Sequence, residues 1–196
     1  MGESPHVNKR LVSGRELFIC DNFVSNETAL RIEKLIKMLS YERSERSRPG
    51  LPVSGAAAEI TPAQFAAEPF FAELCRLGED MFPQERFELE RMYVNNAVSG
   101  DVYYAHRDCN ANLKNVTVLY YANSAWHADW AGETLFFNDH HDAEFAITPR
   151  PGRLVVSRGA ILHRGGVPSP ACREQRLTIA CKLRALESAP NSDVGP

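Results

Sequence analysis

Residues 102–123 read VYYAHRDCNANLKNVTVLYYAN. Val102-Tyr103-Tyr104-Ala105 and Val116-Thr117-Val118-Leu119-Tyr120-Tyr121 are short runs rich in β-branched and aromatic residues. The polar stretch between them reads as a connection, so the pattern predicts strand, loop, strand. Successive side chains of an extended chain alternate between faces. Thr117, Leu119 and Tyr121 therefore share one face, and His106 and Asp108, two apart at the end of the first run, point the same way.

Working outward, the same texture holds from residue 86 to 184. Strands are expected at 86–97, 102–107, 115–123, 133–137, 144–148, 152–157 and 176–184, with turns of Gly, Asn, Asp and Pro between them. Upstream the texture is helical. Leu17 to Cys20 reads as a short strand, and Ser25 caps a helix over about 26–39, with Leu30, Leu35, Ile36 and Leu39 near one face. Thr61, Pro62 and Gln64 carry start signals for a helical region reaching Met81 and broken before Pro69. Its stripe is Phe70, Leu74, Leu77 and Met81. Residues 40–60, rich in Arg, Ser, Pro and Gly, have no clean period and read as a long loop, either a lid or disordered. The polar ends, 1–15 and 186–196, are expected to be flexible. Helices first and strands afterwards predict a mostly β, α+β chain with helices on one face of a sandwich or barrel.

The 196 residues suit one domain, with strand and helices over 16–82 and the β core over 86–184. Hydrophobic residues make up 44% and charged residues 24%, an ordinary globular balance. A net charge of −3 argues against a nucleic-acid partner. No apolar run of membrane-spanning length and no leader-like segment is present, so a membrane partner is not expected. Five scattered cysteines without a CxxC pair fit a reducing, cytoplasmic setting. Nothing in the sequence speaks to oligomeric state.

Three His-x-Asp triplets occur, at His106, His127 and His140, so the triplet alone says little. His127 lies in the Trp-rich stretch Trp126 to Trp130, and His140 to Asp142 reads as a hairpin turn. His106 and Asp108 instead end a strand, and His163 follows another strand, Arg153 to Ser157. Two imidazoles and one carboxylate on a single face of an iron(II) ion leave positions open for co-substrate and dioxygen. On spacing alone, a satisfied structural histidine and a surface aspartate account for these residues equally well.

The surrounding text decides between them. Gly100, Tyr103, His106 and Asp108 fall in a Gly-x-x-Tyr-x-x-His-x-Asp pattern. Val116 to Trp126, then Gly132-Glu133-Thr134-Leu135-Phe136, Pro149-Arg150-Pro151-Gly152, and the stretch from His163 to Arg176 follow in order. This succession resembles the prolyl 4-hydroxylase branch of the iron(II)/2-oxoglutarate-dependent dioxygenases. Asp21-Asn22-Phe23-Val24-Ser25 resembles that branch's lead into its first helix. The resemblance covers most of the chain and is loosest between 40 and 95. It implies a double-stranded β-helix (jelly-roll, cupin-like) core, an Fe(II) ion on His106, Asp108 and His163, and 2-oxoglutarate, dioxygen and, as auxiliary reductant, ascorbate. It implies oxidative decarboxylation of the keto acid coupled to hydroxylation of an unactivated C–H.

It also implies a cation for the far carboxylate of 2-oxoglutarate, where Arg offers a planar, two-pronged match. Arg173 has the commoner spacing from His163. Arg176 opens the strand 176–182 with Thr178 on its own face, matching the family's Arg, spacer, hydroxyl order, and is preferred. Tyr121 resembles the tyrosine that hydrogen-bonds the same carboxylate. Many prolyl hydroxylases carry a tyrosine where Ala97 stands, beside Asn95 and Asn96, so the pocket departs from theirs locally. Tyr103, Asn95, Trp126, Arg43 and Arg46 are the candidate substrate contacts. A small-molecule substrate, an amino acid or natural-product intermediate, is expected. A peptidyl proline is the alternative, and a non-redox, cupin-like metal- or ligand-binding module is the reading from another class.

Overall fold

The computed structural model describes residues 6–186. Eleven strands and three α-helices alternate along them. β1 (His6–Val12) and β2 (Arg15–Asp21) form a hairpin, and α1 (Asn26–Lys37) follows. A second hairpin, β3 (Glu42–Glu45) and β4 (Gly55–Glu59), precedes α2 (Pro62–Ala67) and α3 (Pro69–Met81). The remaining strands are β5 (Phe87–Ala97), β6 (Val116–Tyr121), β7 (Thr134–Phe137), β8 (Ala143–Ile147), β9 (Leu154–Arg158), β10 (Leu162–Arg164) and β11 (Arg176–Ala185). They make an antiparallel eight-stranded sheet, ordered β1-β2-β9-β6-β11-β5-β4-β3, and a three-stranded sheet, β10-β7-β8. This is the jelly-roll architecture, with the helices on the outer face of the large sheet.

The helices start where side chains can cap them. Ser25 Oγ accepts from the Thr28 amide at 3.2 Å, and Thr61 with Gln64 forms a reciprocal capping box. Glu68 caps α3, and Pro69 occupies its first turn, where no amide donor is needed. From α3, Phe70, Phe71, Leu74 and Leu77 are buried against one face of the large sheet. Phe70 meets Tyr120 edge to face at 4.9 Å.

The period-two alternation of β11 sorts the molecule into two compartments. Leu177, Ile179, Cys181 and Leu183 join the core beneath the helices. Arg176, Thr178, Ala180 and Lys182 face the other way and line a pocket between the two sheets. Thr178 pairs with Asn95 on one side and Tyr121 on the other, while Lys182 pairs with Arg91 and Thr117. The pocket face of each neighbouring strand follows from these registers.

Several expectations need correction. The N-terminal segment is a strand from His6 onward, because Ser13 and Gly14, both at positive φ, form a two-residue hairpin turn onto β2. The expectations for residues 1–5 and 187–196 lie outside the described residues. Residues 40–60 contain paired strands, and β4 adds to β5 at the edge of the large sheet. The strand expected over residues 102–107 does not form; that stretch pairs through a single bridge, His106 to His163. β10 is an additional short strand. The buried face of α1 is Ala29, Ile32 and Ile36, whereas Leu30 and Leu35 are exposed.

Candidate metal centre and its pocket

The bridge between His106 and His163 sets the site. Each backbone amide donates to the other residue's carbonyl at 2.9 Å, which places the imidazoles side by side with centroids 4.5 Å apart. Nδ1 of His106 lies 3.0 Å from the Tyr104 carbonyl, and Nδ1 of His163 lies 3.0 Å from the Ile161 carbonyl. A carbonyl can only accept, so Nδ1 carries a proton in both rings, which turns each Nε2 towards the site as the atom that can ligate a metal. The Asp108 amide donates to Gly159 at 2.8 Å and brings its carboxylate between them. Oδ1 is 3.5 Å from His106 Nε2 and Oδ2 is 3.7 Å from His163 Nε2. One ligand atom from each of the three lies within 4.8 Å of the others, and among the described residues no other such group of three forms.

The electrostatics suit a cation. Burial pushes His163 down to about 4, against the opposing pull of Asp108, so the imidazole is neutral, the form that ligates metal. Burial works to raise the Asp108 pKa, but Lys182 and His163 outweigh it and hold the carboxyl well below its usual range. Two imidazoles and a carboxylate are the facial donor set that suits iron(II).

Beside this triad the pocket encloses about 670 Å³ of empty space, its open mouth included. Arg176 lies six positions, about 20 Å of strand, from Lys182 along β11. Its Nε donates to the Gly132 carbonyl at 2.7 Å and its Nη2 to Thr134 Oγ1 at 2.9 Å. Gly132 has a φ of +83°, and a Cβ there would lie 3.0 Å from Arg176 Cδ, so glycine is what lets the loop close on this side chain. Among the described residues no carboxylate lies within ion-pair distance of Arg176, and burial lowers its pKa. Tyr103 Oη and Asn95 Oδ1 are buried on the same pocket wall without partners. An anionic, oxygen-rich ligand matches an unpaired guanidinium beside an unpaired phenol.

The sequence-selected residues divide accordingly. His106, Asp108 and His163 come together, and Arg176, Thr178, Tyr103 and Asn95 line the pocket with them or beside them. Arg173 is exposed. Tyr121 stands behind Arg176, its ring 5.4 Å from the guanidinium, and its hydroxyl donates to Thr134 Oγ1 at 2.8 Å. Trp126 also stands outside the lining, with Nε1 donating to the Ala131 carbonyl at 2.9 Å. Arg43 and Arg46 turn elsewhere: Arg43 pairs with Asp101 at 2.5 Å, and Arg46 donates to the Leu51 carbonyl. An irregularity between Glu42 and Glu45 breaks the alternation of β3, and Glu45 and Ser47 reach the pocket instead. Sequence reasoning missed Glu45, Thr117, Ser157 and Lys182. Thr117 and Lys182 were accessible to it, because each continues a face already read from β6 or β11.

Residues 92–184 match the family model of the 2OG-Fe(II) oxygenase superfamily. No curated protein matches the chain by sequence. Among solved structures, a Pseudomonas putida prolyl-4-hydroxylase is similar with a TM-score of 0.62 at 17% identity, covering 86% of this chain and 91% of that one. A Trichoplax adhaerens prolyl hydroxylase, solved with a hypoxia inducible factor peptide fragment, scores 0.66 at 17% identity, covering 86% and 83%. HygX from Streptomyces hygroscopicus, solved with nickel, 2-oxoglutarate and hygromycin B, scores 0.62 at 15% identity, covering 86% and 82%. The matched stretch contains His106, Asp108, His163 and Arg176, and the fold is similar to that of the prolyl 4-hydroxylases; residues 92–184 are those of a 2OG-Fe(II) oxygenase.

Proposed function

We propose that this oxygenase hydroxylates an unactivated C–H of a small molecule such as an amino acid or natural-product intermediate. The observation that carries the reading is the pocket itself. It is roofed by the β3–β4 hairpin, from which Glu45 and Ser47 line it, and its remaining wall bears Asn95 and Lys182. Polar groups converging on a confined space suit a small, polar substrate. HygX, solved with hygromycin B bound, supports such a reading. The Trichoplax relative, solved with a peptide, supports the second reading, a prolyl residue within a peptide.

In this reading His106, Asp108 and His163 hold iron(II), and Arg176 with Tyr103 holds the far carboxylate of 2-oxoglutarate. Tyr121 and Thr134 keep Arg176 in place, and Thr178 completes its side of the wall. Metal, keto acid and dioxygen supply the oxidising chemistry. The chain's residues fix the orientation of both imidazoles through Nδ1, orient the carboxylate, and exclude water with Leu119 and Phe136. Asn95 Oδ1 is an acceptor awaiting a substrate N–H or O–H. The five cysteines are all unbonded, which supports a reducing, cytoplasmic setting as part of the proposal.

A succinate-release screen tests it. Amino acids, small metabolites and short proline peptides are offered with iron(II), 2-oxoglutarate and ascorbate. Turnover above the substrate-free background from a small molecule supports the first reading. Stimulation by proline peptides alone replaces it with the second.

A further inference from the structure

We propose that Lys182, with Thr117, is a positioning residue that clamps one oxygen of Asp108, leaving the other as the single carboxylate donor and setting a positive charge beside the metal. The inference rests on the metal site proposed above. Thr117 Oγ1 donates to Asp108 Oδ2 at 2.6 Å, and Lys182 Nζ lies 2.5 Å from the same oxygen. Lys182 also donates to Thr117 Oγ1 at 3.4 Å, which closes the triangle. Oδ1 faces His106 Nε2 and has no comparable donor. The side chain of Lys182 is 17% exposed and that of Asp108 10%, so water does little of this work.

The arrangement bears on reactivity through the count of open positions. Two imidazoles and one carboxylate oxygen occupy three positions of an octahedral ion. A keto acid chelating through two atoms then leaves one for dioxygen. A carboxylate gripping the ion through both oxygens would take that last position. Two donors on Oδ2 oppose this. They act by short hydrogen bonds to an ionised acceptor, the strong kind, in a shielded site. The lysine adds a second consequence. A fixed positive charge beside a metal ion disfavours each further unit of metal charge, so Lys182 weakens metal binding somewhat and favours the ferrous over the ferric state.

The test compares wild type with Lys182→Met, Lys182→Gln and Lys182→Arg, loaded with cobalt(II) or iron. Removing the charge is expected to tighten cobalt(II) binding by about tenfold or more. The ferric/ferrous midpoint potential should fall by about 59 mV for each tenfold gain in ferric over ferrous affinity. The visible cobalt(II) bands should weaken as the carboxylate becomes bidentate and the coordination number rises. Lys182→Arg should restore affinity, potential and spectrum. If the methionine variant does not fold, the glutamine variant removes the same charge. Wild-type affinity, potential and spectrum in the uncharged variant would overturn the inference, as would an arginine variant that behaves like the uncharged one. Wild-type protein that binds neither metal would instead overturn the metal site itself, and the inference with it.

Discussion

Replacing Arg176 by Met separates what this side chain does for an anion from what it does for the fold. In the free protein its guanidinium is buried, donates to Gly132 and Thr134, and meets no carboxylate. Burying a charge without a partner costs several kcal/mol, on the order of the hydrogen bonds lost on replacement, so the two effects oppose each other. The melting temperature of the variant alone should therefore move little. With 2-oxoglutarate the balance changes. Two charge-assisted hydrogen bonds to its far carboxylate contribute about 1.5–3 kcal/mol each. At about 1.4 kcal/mol per tenfold, their loss weakens binding by about 100-fold or more. Nickel-loaded wild type at a 2-oxoglutarate concentration of 100 times its Kd gains about 2.7 kcal/mol. For a chain of this size that raises the melting temperature by about 5–11 °C. The variant at the same concentration should show almost none of this rise. A variant that keeps the wild-type rise would refute the assignment of Arg176 as the anchor of the keto acid.

Three further outcomes follow from named contacts. His163 sits near 4 when folded and near the ordinary 6.5 when unfolded, so the unfolded chain takes up the proton first. Metal-free protein should hold full stability above about pH 6.5 and lose on the order of 3 kcal/mol as the pH falls to 4, read by urea titration. A flat profile across that window would count against a buried neutral imidazole. Gly55→Ala places a Cβ against the Tyr103 hydroxyl. It should weaken 2-oxoglutarate binding by about tenfold, the worth of one hydrogen bond, while leaving metal affinity unchanged in calorimetry. Phe71→Ala empties a fully buried position under the sheet and should cost about 3–5 kcal/mol in unfolding free energy, with metal affinity of the folded protein intact.

What the sequence made legible follows from strand periodicity. β6 and β11 carry clean alternation, so the faces of Thr117, Tyr121, Arg176 and Thr178 were readable, and order along the chain supplied the distant His163. The same alternation reached Lys182, whose role became visible only once the structure set its Nζ against Asp108. The β3–β4 hairpin was hidden because Arg, Ser, Pro and Gly dominate residues 40–60, and its pairing depends on the β5 edge rather than on local propensity. β10 has three residues, pairing with β7 and bridging to His106, too few to show a period. On α1 the larger leucines suggested the buried stripe, but Ala29, Ile32 and Ile36 are the buried residues and Leu30 and Leu35 are exposed. Tyr121 was placed correctly by face, yet its hydroxyl is committed to Thr134, a contact made across the two sheets and beyond the reach of any local pattern.

The most direct measurement is the visible spectrum of the anaerobic protein titrated with iron(II) and then 2-oxoglutarate. Convergence of His106, Asp108 and His163 on one ion beside Arg176 predicts a weak metal-to-ligand charge-transfer band that needs both additions and is lost in His163→Ala. A correctly folded wild-type protein that binds iron and gives no band with 2-oxoglutarate, or a band that survives loss of His163, would contradict the shared site.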